Sequence, residues 1–420
     1  MPAPHSRSGA RPGASVPEGE NPYPMNNFIF ETRTKVVFGT GCVKEYLSSF
    51  LEPYGPHVLL AYGSGSIKRS GLYDAVCRIL WKAGKQVTDF SNILPGPTYA
   101  KVQEGAELAR SSGADLILAV GGGSVLDCAK AVSMAAVYPG DLWTDFWAHR
   151  GVVDFAPIPL GGILTAPGGS GMNGRAVLNH ETLRVKCGRD YPRCDPVFTL
   201  IDPSYTRSLP ASHMISAGFD TLCHLMECYF SQPDTENVSD DLAEALMRGT
   251  IRDLRAMART PESYDARSNL MWESALSGNR LLKLGKRADF PCHRLARQLE
   301  AATGCPHDLC LAVLLPACYR RVCQRRAVKF SRFAQRVWEI SAGDKSTCEL
   351  AQAGAEALSA FVAELGLPTS FQALGLTDWS LLEETAAACA IPPGGSLPLE
   401  PGELPELFRA CWAGERKDRI

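Results

Sequence analysis

No apolar run in this chain approaches the ~18 residues that a membrane-spanning helix needs, so a soluble protein is expected. There is no excess of charge either. Forty-three Lys and Arg stand against 45 Asp and Glu, a formal net charge of −2, so nothing global favours DNA, RNA or an anionic membrane. The most basic stretch, "YRRVCQRRAVKFSRFAQRVW", holds seven Lys or Arg and no acid, and its helical spacing predicts a solvated helix face. The fifteen cysteines form no C-x-x-C pair and no framework. Several, such as Cys128, Cys223 and Cys310, sit inside apolar segments, as reduced thiols in a cytoplasmic protein do. The first 24 residues lack an apolar signal-peptide region and are rich in Pro, Gly and Ser, so residues 1–24 are expected to be a disordered tail. No repeat of solenoid period occurs.

What is present is an ordinary globular composition, 45% hydrophobic and 21% charged over 420 residues, enough for two domains. Between Phe28 and Ile201, short apolar runs alternate with amphipathic ones. "HVLLAY", "QVTDF" and "DLILAV" read as strands, and "YDAVCRILWKAG" and "VQEGAELARSSG" as helices. That βαβ rhythm predicts a mainly parallel sheet covered by helices. After "FTLIDPSYTRSLP" the pattern becomes helical, as in "SDDLAEALMRGTIRDLRAM" and "LAQAGAEALSAFVAELG". We place an α/β dinucleotide-binding domain at 25–203 and an all-α domain at 204–420.

Two glycine loops follow strands. In "LAVGGGSVLDCAK", Gly121–Gly123 allow close backbone approach and the next helix offers free N–H groups, which suits pyrophosphate; a purely steric turn has the same sequence. Asp127 and Lys130, one turn apart, are compatible with a surface ion pair. In "AYGSGSIKRSG", Gly63, Ser64, Gly65 and Ser66 stand where an NAD-preferring site often has an acid, and Lys68 and Arg69 follow; a dinucleotide site here favours NADP.

The segment "SAGFDTLCHLMECYF" is apolar yet contains Asp220, His224 and Glu227. Asp220 and His224 are one turn apart and share a helix face. They make either a buried hydrogen-bonded pair or half of a cation site. Only eight histidines exist, and two lie in "DFPCHRLARQLEAATGCPHDLC": His293 is expected to begin a helix that Gly304 ends, and His307 follows just beyond. One carboxylate and three imidazoles suit Fe2+, Zn2+, Mn2+ or Co2+. Spacing alone does not require that they meet.

The order of "MNNFIFETRTKVVFGTG", "AVGGGSVLDCAK", "LIDPSYTRSLP", "GFDTLCHLMECY", "RSNLMWESALSGN" and "HDLCLAVLLP" resembles the iron-containing (group III) alcohol dehydrogenases, nearest their NADPH-dependent butanol dehydrogenase or aldehyde reductase branch. The resemblance spans all but the tail. It implies the dehydroquinate synthase-like fold, with an α/β dinucleotide domain and a helical metal-binding domain, a homodimer, and hydride transfer between NADP(H) and an aldehyde or primary alcohol. It also implies that Asp220, His224, His293 and His307 ligate the metal. Gly122, Gly123, Ser124 and Asp127 then match the phosphate and nicotinamide region, and Gly63, Ser64 and Ser66 the adenosine-ribose loop. Thr165 and Lys186 match further cofactor contacts.

Three positions depart from the family pattern. Arg297 replaces a substrate-facing histidine, "PGGSGMN" has Gly171 where an acid is usual, and "LPGPTY" has Gly96 in place of asparagine. Arg297 then either binds an anionic substrate group or forms a structural ion pair. Alternatives on the same scaffold are a polyol dehydrogenase, a dehydroquinate-synthase-like lyase acting on an anionic carbonyl, and a nucleotide-binding relative with impaired catalysis. Trp143, Phe146 and Trp147 are expected to pack rather than line a pocket.

Overall fold

The computed structural model describes residues 26–389, 391 and 395–412; the expected tail at 1–24 lies outside them. The eight strands are β1 (Lys35–Phe38), β2 (His57–Tyr62), β3 (Gln86–Phe90), β4 (Leu116–Gly121), β5 (Leu160–Leu164), β6 (Arg175–His180), β7 (Val185–Asp190) and β8 (Phe198–Ile201). Six of them form a parallel sheet in the order β1-β8-β5-β4-β2-β3, and β6 and β7 form a separate antiparallel hairpin. β4 reads as a continuous apolar run because helices cover both faces of the sheet, and all six of its residues are buried. Two apolar clusters, one on each face, make the α/β core. From Ala211 onward the described regular structure is helical around a third cluster. The fold is thus an α/β sheet domain followed by an all-α part, as the sequence rhythm predicts.

The strands expected at "HVLLAY" and "QVTDF" have those same limits. The helix expected to begin at His293 begins at Pro291 instead, because proline suits the first helical turn, and Gly304 closes it in the left-handed conformation. Trp143 is buried against Tyr99 and His180, Phe146 against Tyr138 and Phe155, and Trp147 against Tyr191, so they pack. Among the described residues no disulfide joins any of the fifteen cysteines.

The basic run does not form a solvated face. Lys329 is buried on Asp240, Arg332 pairs with Glu244 and Asp241, Arg326 with Asp234, and Arg321 and Arg325 with Glu403. Acids on other elements, invisible to local spacing, neutralise it. Asp127 and Lys130 are also not at the surface. Lys130 Nζ donates to the carbonyls of Ser170 (2.7 Å) and Arg175 (2.8 Å), and Asp127 accepts from Ser170 Oγ (2.6 Å) and the Val177 N–H (3.0 Å). The pair clamps the helix Gly123–Ala135 to the hairpin and to the "PGGSGMN" loop.

Candidate active site

The helix Ala211–Tyr229 carries Asp220 and His224, the helix Pro291–Thr303 carries His293, and His307 opens the helix His307–Val322. Donor atoms of Asp220, His293 and His307 all lie within 4.8 Å of one another. Asp220 Oδ1 is 3.4 Å from His293 Nε2 and 3.6 Å from His224 Nδ1. His224 stands beside this set of three rather than in it. Its Nδ1 donates to the Asp220 carbonyl at 3.0 Å, a bond to its own helix, and lies 3.1 Å from His293 Nε2.

The donors fit a cation. Asp220 Oδ1 is buried without a hydrogen-bond partner, which is costly unless something else binds it. Burial opposes charge on Asp220, yet His224, His293 and His307 hold its carboxyl well below the usual carboxylate range. Burial, then the neighbouring His293, keeps His224 well below the ordinary histidine value, and burial lowers His307 as well, so both imidazoles stay neutral and offer lone pairs.

Sequence reasoning quoted Glu227 without assigning it a role. It is buried, and its carboxylate accepts from His293 Nδ1 and from the Cys292 N–H (2.7 Å). That bond fixes which nitrogen of His293 faces Asp220. The signal was present: Glu227 follows Asp220 by seven residues, two turns along one helix face. Burial alone would lower His293, but Glu227 and Asp220 raise it above the ordinary value. Glu300, also unassigned from sequence, lies 3.3 Å from His307 Nδ1 and pairs through its other oxygen with Lys186. Lys186, expected at the cofactor, is thereby tied to the ligand helices.

Gly122 is the N-cap of the helix Gly123–Ala135 and no side chain caps it, so the first N–H groups, at Gly123 and Ser124, are free for an anion. A Cβ on Gly122 or Gly123 would meet only ordinary contacts, at 3.6 and 3.7 Å, whereas one on Gly121 would strike Val125 at 2.6 Å. Glycine is therefore steric at 121 and leaves open space at 122 and 123. Thr165 follows β5 and its N–H bonds the Gly121 carbonyl, which places it beside that loop. Asp127 is occupied by Ser170 and Val177. Gly63, Ser64 and Ser66 follow β2, with Gly65 at φ +117° between them. The acid at the end of neighbouring β3, Asp89, accepts from the Tyr73 hydroxyl at 2.8 Å.

The departures have physical causes. A side chain at Gly171 would run into Leu164 at 2.7 Å. Gly96, at φ +64°, faces Asn179, Lys186 and Glu300, and a Cβ there would meet Asn179 Nδ2 at 2.8 Å. Asn173 Nδ2 donates to the carbonyls of both Gly169 and Gly278 at 2.7 Å, so the "PGGSGMN" loop joins the sheet domain to the helical part.

A glycine-loop dinucleotide fold followed by helices that gather one carboxylate and two imidazoles defines a metal-assisted oxidoreductase class. The description "Iron-containing alcohol dehydrogenase" matches residues 33–203, and "Fe-containing alcohol dehydrogenase family, C-terminal" matches residues 214–392. The chain belongs to the iron-containing alcohol dehydrogenase family. It is 34% identical to the probable NADH-dependent butanol dehydrogenase 1 of Bacillus subtilis, over 85% of this chain and 92% of that one. It is also 34% identical to the NADPH-dependent aldehyde reductase YqhD of Escherichia coli, over 85% and 91%. The crystal structure of NADH-dependent butanol dehydrogenase A from Thermotoga maritima superposes with a TM-score of 0.85 at 29% identity, covering 93% of this chain and all of that one.

Proposed function

We propose that this chain reduces aldehydes to primary alcohols with NADPH and a divalent cation. The observation that carries the reading is the gathering of donor atoms of Asp220, His293 and His307, with Asp220 Oδ1 buried and without a hydrogen-bond partner. In this reading His224 completes a four-ligand site for Fe2+ or Zn2+, with Mn2+ and Co2+ also suited to the donors. A cation held there supplies Lewis-acid polarisation of a carbonyl, and the nicotinamide supplies the hydride. Glu227 fixes His293, and Glu300 sets the orientation of His307. The free N–H groups at Gly123 and Ser124 receive the pyrophosphate, with Thr165 beside them. The hydroxyls of Ser64 and Ser66 receive the ribose, and the loop 63–66 has no acid to repel a 2′-phosphate.

The division into domains at 25–203 and 204–420 belongs to this reading, as does a homodimer. The exposed Phe28, Ile29 and Phe30 and the edge position of β1 support a self-association surface. Fifteen cysteines without a disulfide support a cytoplasmic location, and among the described residues no helix is long and apolar enough to cross a membrane.

The test is oxidation of NADPH and of NADH by butanal, before and after chelation, with Fe2+ or Zn2+ restored separately. We expect turnover that chelation removes, that one metal restores, that NADPH supports better than NADH, and that Asp220→Ala abolishes. Turnover indifferent to chelation would overturn the metal-dependent reading.

A further inference from the structure

Three half-buried cations beside the donor set have no acid to match them. Arg175 comes from β6, Lys283 from the short turn Arg280–Lys283, and Arg297 from the helix Pro291–Thr303. Arg175 Cζ lies 6.0 Å and Lys283 Nζ 5.0 Å from the centroid of the Phe290 ring, so both converge on it. That ring is 5.8 Å from the His224 ring and 5.5 Å from the His293 ring. Arg297 follows His293 by one helical turn and faces the same side. Among the described residues none of the three side chains has an ion-pair or hydrogen-bond partner. The nearby carboxylates are committed elsewhere: Glu227 to His293, Glu300 to Lys186, and Asp190 to Arg280 at 2.7 Å.

Like charges gathered at half-buried positions repel each other and lose hydration, and an anionic ligand offsets both costs. Burial, then Arg175, works against the charge on Arg297, and burial also works against the charge on Lys283. A guanidinium fork matches a planar carboxylate, and Phe290 offers an apolar wall for a short carbon chain. We propose that the preferred substrate is an aldehyde carrying a carboxylate a few carbons from its carbonyl, with the carboxylate held by Arg297, Arg175 and Lys283 and the carbonyl end toward Asp220, His293 and His307. The inference rests on the aldehyde-reductase reading. Hydride from NADPH adds to the aldehyde carbon and a proton from solvent to its oxygen, giving a hydroxy acid and NADP+, and the carboxylate is unchanged. A nucleotide phosphate is the other source of the same anion chemistry, but the uncapped helix at Gly123 already provides for phosphate.

The test compares 4-oxobutanoate with butanal, four carbons each, on the metal-loaded full chain with NADPH. Alongside it, succinate binding to the protein–NADP+ complex is measured by calorimetry. We expect kcat/KM at least tenfold higher for the acid, and a ratio that falls about tenfold to a hundredfold in Arg297→Gln through the KM of the acid, the usual weight of a charge-assisted bond. Arg297→Lys recovers part of it, Lys283→Met lowers it independently, and succinate binding weakens in step. An unchanged ratio in both Arg297→Gln and Lys283→Met overturns the proposal. So does a rise confined to the KM of NADPH, which assigns the cations to the nucleotide. Succinate binding that the substitutions weaken, without turnover of either aldehyde, upholds the anion site and sinks the reductase reading. Neither binding nor turnover overturns both.

Discussion

Two groups of buried charge in this molecule are built in opposite ways. Around Asp240, which is fully buried, Lys286 and Lys329 each donate to one carboxylate oxygen, and Asn237 Nδ2 adds a 2.7 Å bond. The Tyr229 ring lies 4.2 Å from Lys329, and its carbonyl accepts from Lys286 at 3.0 Å. At Phe290, by contrast, Arg175 and Lys283 converge on one ring, Arg297 lies one turn beyond His293, and among the described residues none of the three has an ion-pair partner. The first group closes upon itself and ties the helix Val238–Arg259 to the chain after it. The second has charge left over beside a donor set in which Asp220 Oδ1 also has no partner. In the first group two ammonium groups share one acid and both its oxygens are bonded within the fold, whereas in the second three cations have no acid of their own.

The largest effect should come from breaking the closed group. Asp240→Ala leaves two buried ammonium groups uncompensated, and we expect a loss of about 3–5 kcal/mol in urea unfolding. A loss within the range of a surface substitution would show that the network is not closed. Next, Glu227→Gln removes the charge that positions His293. Metal affinity, followed by competition with a chelator, should weaken about 10–100-fold while far-ultraviolet circular dichroism is retained. Unaltered affinity would mean that Glu227 serves packing only.

The smallest effect has the opposite sign. Lys283→Met replaces an unmatched ammonium with an apolar chain of similar size and should stabilise the protein by about 1 kcal/mol at pH 7. Burial lowers the folded-state value of Lys283 from its ordinary 10.5, so the charged form is disfavoured in the native protein. The penalty is complete below the lowered value and vanishes above 10.5, where both states are neutral. The gain should therefore shrink as pH rises toward 10.5. A variant less stable than the parent at pH 7 would reveal a counter-charge and erase the contrast with Asp240.

Much of the architecture was legible because periodicity is local. "DLILAV" reads as a doubly covered strand, and "SDDLAEALMRGTIRDLRAM" as a helix that begins at Val238, just after its Asn237 cap. The glycine loop was legible as an anion site only in part, since Gly121 answers to Val125 while Gly122 and Gly123 leave room. The pairing of Asp220 with His224 was legible from one turn of spacing. Bringing in His293 and His307 needed the family resemblance, because three separate helices supply the donors. Arg175, Lys283 and Phe290 were not legible at all. They come from a hairpin, a short turn and a helix cap, and only tertiary packing brings them to one ring. The basic run from Tyr319 to Trp338 was misread for the same reason, its acids lying at 234, 240, 241, 244 and 403.

The central claim is that the buried donors exist to hold a cation. Its most direct test is an anomalous-difference map from crystals of the protein grown with Fe2+ or Zn2+. The account predicts one peak within coordination distance of Asp220, His293 and His307, with His224 turned to join them, and no peak in Asp220→Ala crystals. A metal bound elsewhere, or these four side chains left unliganded in a metal-saturated crystal, would contradict it.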